Sequence, residues 1–325
     1  MRWLRVLGWT VIVLVLIGAV ADAYLANLAH DNLSNEGFNR VHERTPADVG
    51  LPFAHVLIPS GSLSLKGWWI PAAPGSDNAS TTVVLVHGVG STMGKMVRMW
   101  APNLHAAGYS VLAFDLRNHG ASPDAAGGLV TYGMDEADDV AGAVAFVQDS
   151  AAELGVDPDR IVLYGGSMGG AAVINAAARP VPGVAAVIAD SAYASFGFQA
   201  RVDGRDKGYP VWLVDLVVRY MDAAAPSPPS HSDPERALYA FDGLPVLLLS
   251  CTDDARVTHA NAEHLAQAAT SRGPHPRPDT WVWEKPCPTG LSKDHHLDGF
   301  MQADYNATVL RFIDEEVNHP LCCRD

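Results

Sequence analysis

Residues 161–170, Ile-Val-Leu-Tyr-Gly-Gly-Ser-Met-Gly-Gly, constrain this chain more than any other stretch. Four apolar or aromatic residues read as a buried strand, and they run directly into Gly165-x-Ser167-x-Gly169. A small-residue helix is expected next, through Ala171, Ala172, Val173, Ile174, Ala176, Ala177 and Ala178. A serine at the tip of so tight a strand-to-helix turn sits in a strained backbone conformation. Side chains on its neighbours would strike the strand or the helix, which accounts for the flanking glycines. Gly-x-Ser-x-Gly by itself also fits ordinary turns. Framed by strand and helix, it points to an exposed hydroxyl that needs partners.

The surrounding chain alternates in the same way. Continuous apolar runs at 82–86, 110–114, 184–188 and 245–250, with a further strand at 280–284, have the look of strands buried on both faces of a parallel sheet. Helical segments are expected around 95–107, 135–154, 260–269 and 303–317. In the second of these, Val140, Val144, Val147, Ala151 and Leu154 recur at four- and three-residue steps. Runs at 53–59 and 64–71, joined through Ser60-Gly61-Ser62, read as a hairpin. The pattern predicts an α/β fold with a doubly wound, mostly parallel sheet opened by an antiparallel hairpin. Residues 193–241 break the rhythm with an aromatic-rich helical piece (209–221) and a Pro/Ser loop (226–234). A small helical excursion of that length is expected to cover the site.

A serine hydroxyl is a poor nucleophile until a neighbouring base takes its proton, and the base needs a carboxylate to orient it. Both should stand at carboxyl ends of strands, in the order serine, acid, histidine. The run at 245–250 leads into Cys251-Thr252-Asp253-Asp254, which supplies two acids. Asp254 is the preferred one, with Asp253 as the alternative and more naturally a turn residue. Between the last strand and the last helix stands His295-His296, with His296 preferred as base and His295 as alternative. Adjacent histidines rarely point the same way and no third ligand stands at useful spacing, so no metal is expected. Attack on a carbonyl also needs donors for the oxyanion. The backbone N–H of Met168 follows from the turn, and Val89, in His87-Gly88-Val89-Gly90 after the 82–86 strand, is placed to give the second. His87 is expected to hold that loop. Met93 and Met168 are candidates for lining an acyl pocket, core filling being the commoner use.

Composition bounds partners and location. The 325 residues are 48% hydrophobic and 18% charged, with a formal charge of −14 and no basic cluster, which argues against nucleic acid. Arg2 and Arg5 precede an uncharged apolar run at 6–21, about 24 Å as a helix against a hydrocarbon core of roughly 30 Å. One reading is an uncleaved signal anchor that holds the arginines in the cytoplasm and the catalytic part outside it. The other is a signal peptide cleaved after Ala21 or Ala23 and a secreted product. The anchor is preferred because the apolar stretch runs past the usual signal core. The expected organisation is anchor or signal peptide over 1–29, a linker or arm over 30–50, one catalytic domain over 51–320 and a tail over 321–325. Cys251, Cys287, Cys322 and Cys323 allow three disulfide pairings. No internal repeat, Walker loop or dinucleotide fingerprint is present, and no cofactor is called for.

These residues resemble the α/β-hydrolase superfamily, in particular small single-domain serine hydrolases grouped as esterases, acyl hydrolases and peptidase-like members, many with an N-terminal anchor. The resemblance spans about residues 53–317. It rests on His87-Gly88-Val89-Gly90, on Asp115-Leu116-Arg117-Asn118-His119-Gly120, on the serine turn, on Asp254-Ala255-Arg256-Val257 and on His296-Leu297-Asp298-Gly299-Phe300. Three departures stand out: Asn118 replaces the family's glycine, Cys251 stands where glycine is common before the acid, and Thr258 replaces a proline. The resemblance implies two-step acyl transfer on a small-molecule ester, with Ser167 as nucleophile, His296 as base and Asp254 as acid. Thioester or peptide hydrolysis, acyl transfer to another acceptor, or a non-catalytic binding domain are the alternatives on this fold.

Overall fold

The computed structural model describes residues 2–38, 40–41, 44–179, 181–271, 280–286 and 303–319. Helix α1 (Arg2–Leu33) opens the chain, followed by strands β1 (Ala54–Ser60), β2 (Leu63–Ile70) and β3 (Thr82–Val86), helix α2 (Met93–Ala106) and β4 (Ser110–Phe114). Helices α3 (Glu136–Asp149) and α4 (Ala151–Leu154) precede β5 (Ile161–Gly166), α5 (Met168–Ala177) and β6 (Val184–Asp190). The excursion contains α6 (Phe196–Asp206), α7 (Val211–Ala224) and α8 (Pro234–Leu238). Then come β7 (Val246–Cys251), α9 (His259–Thr270), β8 (Thr280–Lys285) and α10 (Ala303–Ile313).

One eight-stranded sheet has the order β1-β2-β4-β3-β5-β6-β7-β8. β2 is antiparallel to both of its neighbours, and every other pairing is parallel. The unbroken apolar runs follow from burial on both faces. Ile161 and Leu163 of β5 enter one core while Val162 and Tyr164 enter the other, and β7 divides Val246 and Leu248 from Leu247 and Leu249 in the same way. Helices α3, α5 and α9 cover the first face, and α2 and α10 cover the second. Shared strand direction brings the carboxyl ends of β3, β5, β6 and β7 to one edge, where ligands of such sheets bind.

The N-terminal helix is longer than the apolar run that announced it. Its segment Ile12–Leu33 is 22 residues long and contains an 18-residue window of mean hydropathy 2.1, long and apolar enough to cross a membrane. Asp22 lies within the helix, and its carboxylate accepts a hydrogen bond from the Tyr220 hydroxyl of α7. Ala29 and Leu33 are fully buried against the domain. Beyond the helix, Ser34 bridges to Leu129, and the Asn35 amide donates to the Asn118 carbonyl at 2.9 Å. The Phe38 ring then lies 4.9 Å from that of His119.

Candidate active site

Ser167 links β5 to α5 with φ 56° and ψ −122°, in a region that non-glycine residues rarely occupy. Such a conformation costs on the order of 1–3 kcal/mol and persists only where surroundings enforce it. Here the Ser167 N–H donates to the Asp190 carbonyl at 2.8 Å, and the Ser167 carbonyl accepts from Ala171 at 3.1 Å. The glycines are required by space. A Cβ at position 165 would stand 2.2 Å from the Gly169 carbonyl oxygen, and one at 169 would stand 2.4 Å from that of Val86.

The loop after β3 closes over the serine. A Cβ on Gly88 would lie 3.1 Å from the Ser167 Cβ, so the Gly88-Val89 backbone passes directly beside the side chain. His87 fixes this loop, as expected of it. Its Nε2 accepts the Leu116 N–H at 3.1 Å and its Nδ1 donates to the Gly88 carbonyl at 2.8 Å, which requires the neutral ring. Asp115, fully buried, accepts the N–H groups of Met93 and Ala121, each at 2.8 Å. Asn118 adopts φ 64°, the left-handed conformation a glycine would take. Its side chain adds what glycine cannot, donating to the Leu129 carbonyl and accepting from the Ala125 N–H.

The two candidate acids differ in burial. Asp254 is buried after β7 and Asp253 is exposed. Asp254 Oδ1 accepts from the N–H groups of Arg256 at 2.8 Å and Val257 at 2.9 Å, and both of those residues line the same cavity as Ser167. Gln199 ties this loop to the excursion by donating to the Arg256 carbonyl at 2.7 Å, while Asn261 donates to Gln199 at 3.0 Å. His295 and His296 lie outside the described residues, as do Cys287, Cys322 and Cys323, whereas Cys251 is buried at the end of β7.

A cavity of about 370 Å³ opens beside Ser167, near the low end for small-molecule sites. Val89 and Met168 line it next to the serine. Met168 begins α5, so its N–H has no intrahelical partner. Met93 is packed into the core under α2 instead. The sequence did not single out Tyr132, Tyr193 or Phe196, which line the cavity from the loop before α3 and from the excursion. Nor did it single out Tyr24, Leu28 and Asn32 of α1, which form another part of the wall. The Tyr132 hydroxyl donates to the Asn32 carbonyl at 2.6 Å, and the Tyr193 hydroxyl donates to the Tyr132 carbonyl. A four-residue spacing over 24, 28 and 32 was the one available signal, and it is masked by the apolar character of the whole helix.

Beneath the site, Tyr164 and Tyr305 share a hydrogen bond of 2.8 Å, and Tyr305 donates to Asp190. Burial pushes the Asp190 carboxyl up to about 8, with Asp254 adding to the shift and the Tyr305 hydrogen bond opposing it. At neutral pH Asp190 is therefore mostly protonated.

His119, fully buried with its ring 5.1 Å from that of His87, is displaced in the opposite sense. Burial, and then His87, lowers its pKa from 6.5 to about 3. Between those values the unfolded chain binds a proton that the native one does not. Stability from this group is thus complete above pH 6.5 and lost as pH falls towards 3. The loss at pH 5 is about 2 kcal/mol. The expected result is a fall in melting temperature from pH 7 to pH 5 that is smaller in His119→Gln than in the native protein. Asp190 is present in both and cancels from the difference, so equal falls would contradict this assignment.

Residues 77–231 match the family described as serine aminopeptidase, S33. The uncharacterized protein YfhR of Escherichia coli K12 is 34% identical over 139 residues, 41% of this chain and 44% of that protein. The match thus spans under half the length of that relative. Among solved structures, an esterase of Pyrococcus furiosus superposes with TM-score 0.65 and 22% identity, covering 86% of this chain and 100% of that one. The acylaminoacyl peptidase of Pyrococcus horikoshii gives TM-score 0.62 and 17% identity, covering 85% of this chain and 43% of that one. At these identities the two structures establish a common fold.

Proposed function

We propose that this chain, whose residues 77–231 match the serine aminopeptidase, S33, family and whose fold is shared with an esterase and an acylaminoacyl peptidase, is a serine hydrolase that cleaves carboxylic esters by two-step acyl transfer. In this reading Ser167 Oγ attacks the carbonyl carbon while His296 takes its proton, His295 being the alternative base. Asp254 orients the ring and stabilises the imidazolium. The N–H groups of Val89 and Met168 donate to the oxyanion, and the amino end of α5 adds its positive dipole. The protonated imidazole releases the alcohol, and water, deprotonated by the same base, frees the acid and restores the serine.

The observation that carries this reading is the Ser167 backbone, held at φ 56° between two glycines with no room for a side chain. Ester specificity draws on the cavity wall, where Leu213, Val214, Val217, Val218 and Met221 of α7 suit an acyl chain. Amide hydrolysis is the second reading, favoured by the match to the aminopeptidase family and by Asp203, a cavity carboxylate able to hold a substrate ammonium. Burial raises the pKa of Asp203, which weakens it in that role. The proposed setting is a membrane, with α1 as a signal anchor and the catalytic domain outside the cytoplasm. Secretion after cleavage is the alternative. A panel of p-nitrophenyl esters, acyl thioesters and aminoacyl amides tests the chemistry. Esters are expected to turn over at least tenfold faster than the amides, and the reverse order would make the protein a peptidase.

A further inference from the structure

A helix that serves only as a tether has no reason to end inside a substrate cavity. In α1, Tyr24, Leu28 and Asn32 stand four residues apart, on one face, and line the cavity that holds Ser167. Val214, Val217, Val218 and Met221 of α7 line it as well. The two helices are fastened to the domain and to each other by the Tyr220–Asp22 and Tyr132–Asn32 hydrogen bonds. The wall of the cavity is therefore continuous with the helix that is apolar enough to cross a bilayer.

Docking also fixes how much of that helix is left to span. From Asp22 onward α1 is held by the domain, which leaves the uncharged run 6–21, about 24 Å of helix with Arg2 and Arg5 at its far end, to enter a hydrocarbon core of roughly 30 Å. Leu14, Val15, Leu16, Ile17 and Val20 are all more than half exposed, as lipid-facing residues would be. Tyr24 is 66% exposed and follows within a turn, where aromatic side chains mark the membrane interface. Outside α1, the large hydrophobics exposed among the described residues number seven, and three of them, Tyr209, Val211 and Trp212, fall within four positions at the α6–α7 junction. Tyr209 and the adjacent Leu213 line the cavity, so this apolar patch forms its rim. A soluble ester entering from water would gain nothing from such a rim.

We infer that the cavity is loaded from the bilayer, and that the substrate is a long-chain acyl ester resident in the membrane. The inference rests on the hydrolase reading above and adds the substrate class. The acyl chain lies between α1 and α7 with its carbonyl at Ser167. The Ser167 Oγ–acyl bond forms as the ester C–O bond breaks, the alcohol leaves with the proton, and water then releases the fatty acid.

The test uses the full chain in phosphatidylcholine vesicles and two probes that react with any activated serine, whether esterase or peptidase. One is a long-chain alkyl fluorophosphonate embedded in the vesicles, and the other is diisopropyl fluorophosphate in solution. Both are expected to label the native protein. The double variant Val211→Glu/Trp212→Glu, whose positions are exposed and outside the cavity lining, should be labelled at least tenfold more slowly by the embedded probe. Its labelling by the soluble probe should stay within twofold. The uncharged Val211→Ser/Trp212→Ser protein should fall between. Equal effects on both probes, or none on either, would overturn loading from the bilayer and leave the hydrolase reading standing. Failure of both probes on the native protein would overturn the hydrolase reading and this inference with it.

Discussion

Ser167→Ala is expected to lower ester turnover by about 10⁴-fold or more while leaving the melting temperature within a few degrees. The loss should be large because the attacking oxygen itself is removed. Ser167 alone sits at the tip of the β5–α5 turn, with the Gly88 backbone beside it and Met168 starting the helix behind it. Stability should hardly suffer. The substitution removes one oxygen, and the hydrogen bonds that enforce the strained turn belong to the backbone. Residual activity above the uncatalysed rate should persist, since the cavity and the backbone N–H donors remain. A loss of under tenfold would place the nucleophile elsewhere.

The second large effect concerns the acid. Asp254→Asn is expected to reduce kcat by roughly 10³–10⁴-fold, and Asp253→Asn by less than threefold. Asparagine is the informative substitution because Asp254 Oδ1 already holds the N–H groups of Arg256 and Val257. An amide oxygen can keep both bonds, so the loop stays folded while the charge is removed. Asp253 is exposed, where Asp254 is buried. Equal losses at 253 and 254, measured as kcat on one soluble ester, would contradict the assignment.

What the sequence disclosed, and what it did not, has a physical logic. The strands were legible because both faces of the sheet are buried, which leaves unbroken apolar runs such as 82–86 and 245–250. The serine turn was legible because two glycines forced by close contacts, Gly165 against Gly169 and Gly169 against Val86 of β3, flank the serine within ten residues of sequence. Asp254 was preferred over Asp253 as the acid, Asp253 being more naturally a turn residue, and in the structure Asp254 is buried and accepts the Val257 N–H while Asp253 is exposed. Asn118 read as a departure in a turn. The structure shows why it is tolerated, since asparagine enters the left-handed region more readily than most residues and its amide here ties down two backbone groups. The cavity wall was not legible. It depends on α1 meeting α7 across roughly two hundred residues of chain, through a Tyr220–Asp22 bond that no local pattern announces. The base was inferred from a position between the last strand and the last helix, and His295 and His296 fall outside the described residues.

The central claim is that Ser167 is an activated nucleophile, and the most direct measurement is peptide mapping after reaction with a fluorophosphonate. A single adduct should appear, on the peptide that contains residues 161–179 and at Ser167 within it. An adduct on any other residue, or labelling that survives Ser167→Ala, would contradict the account.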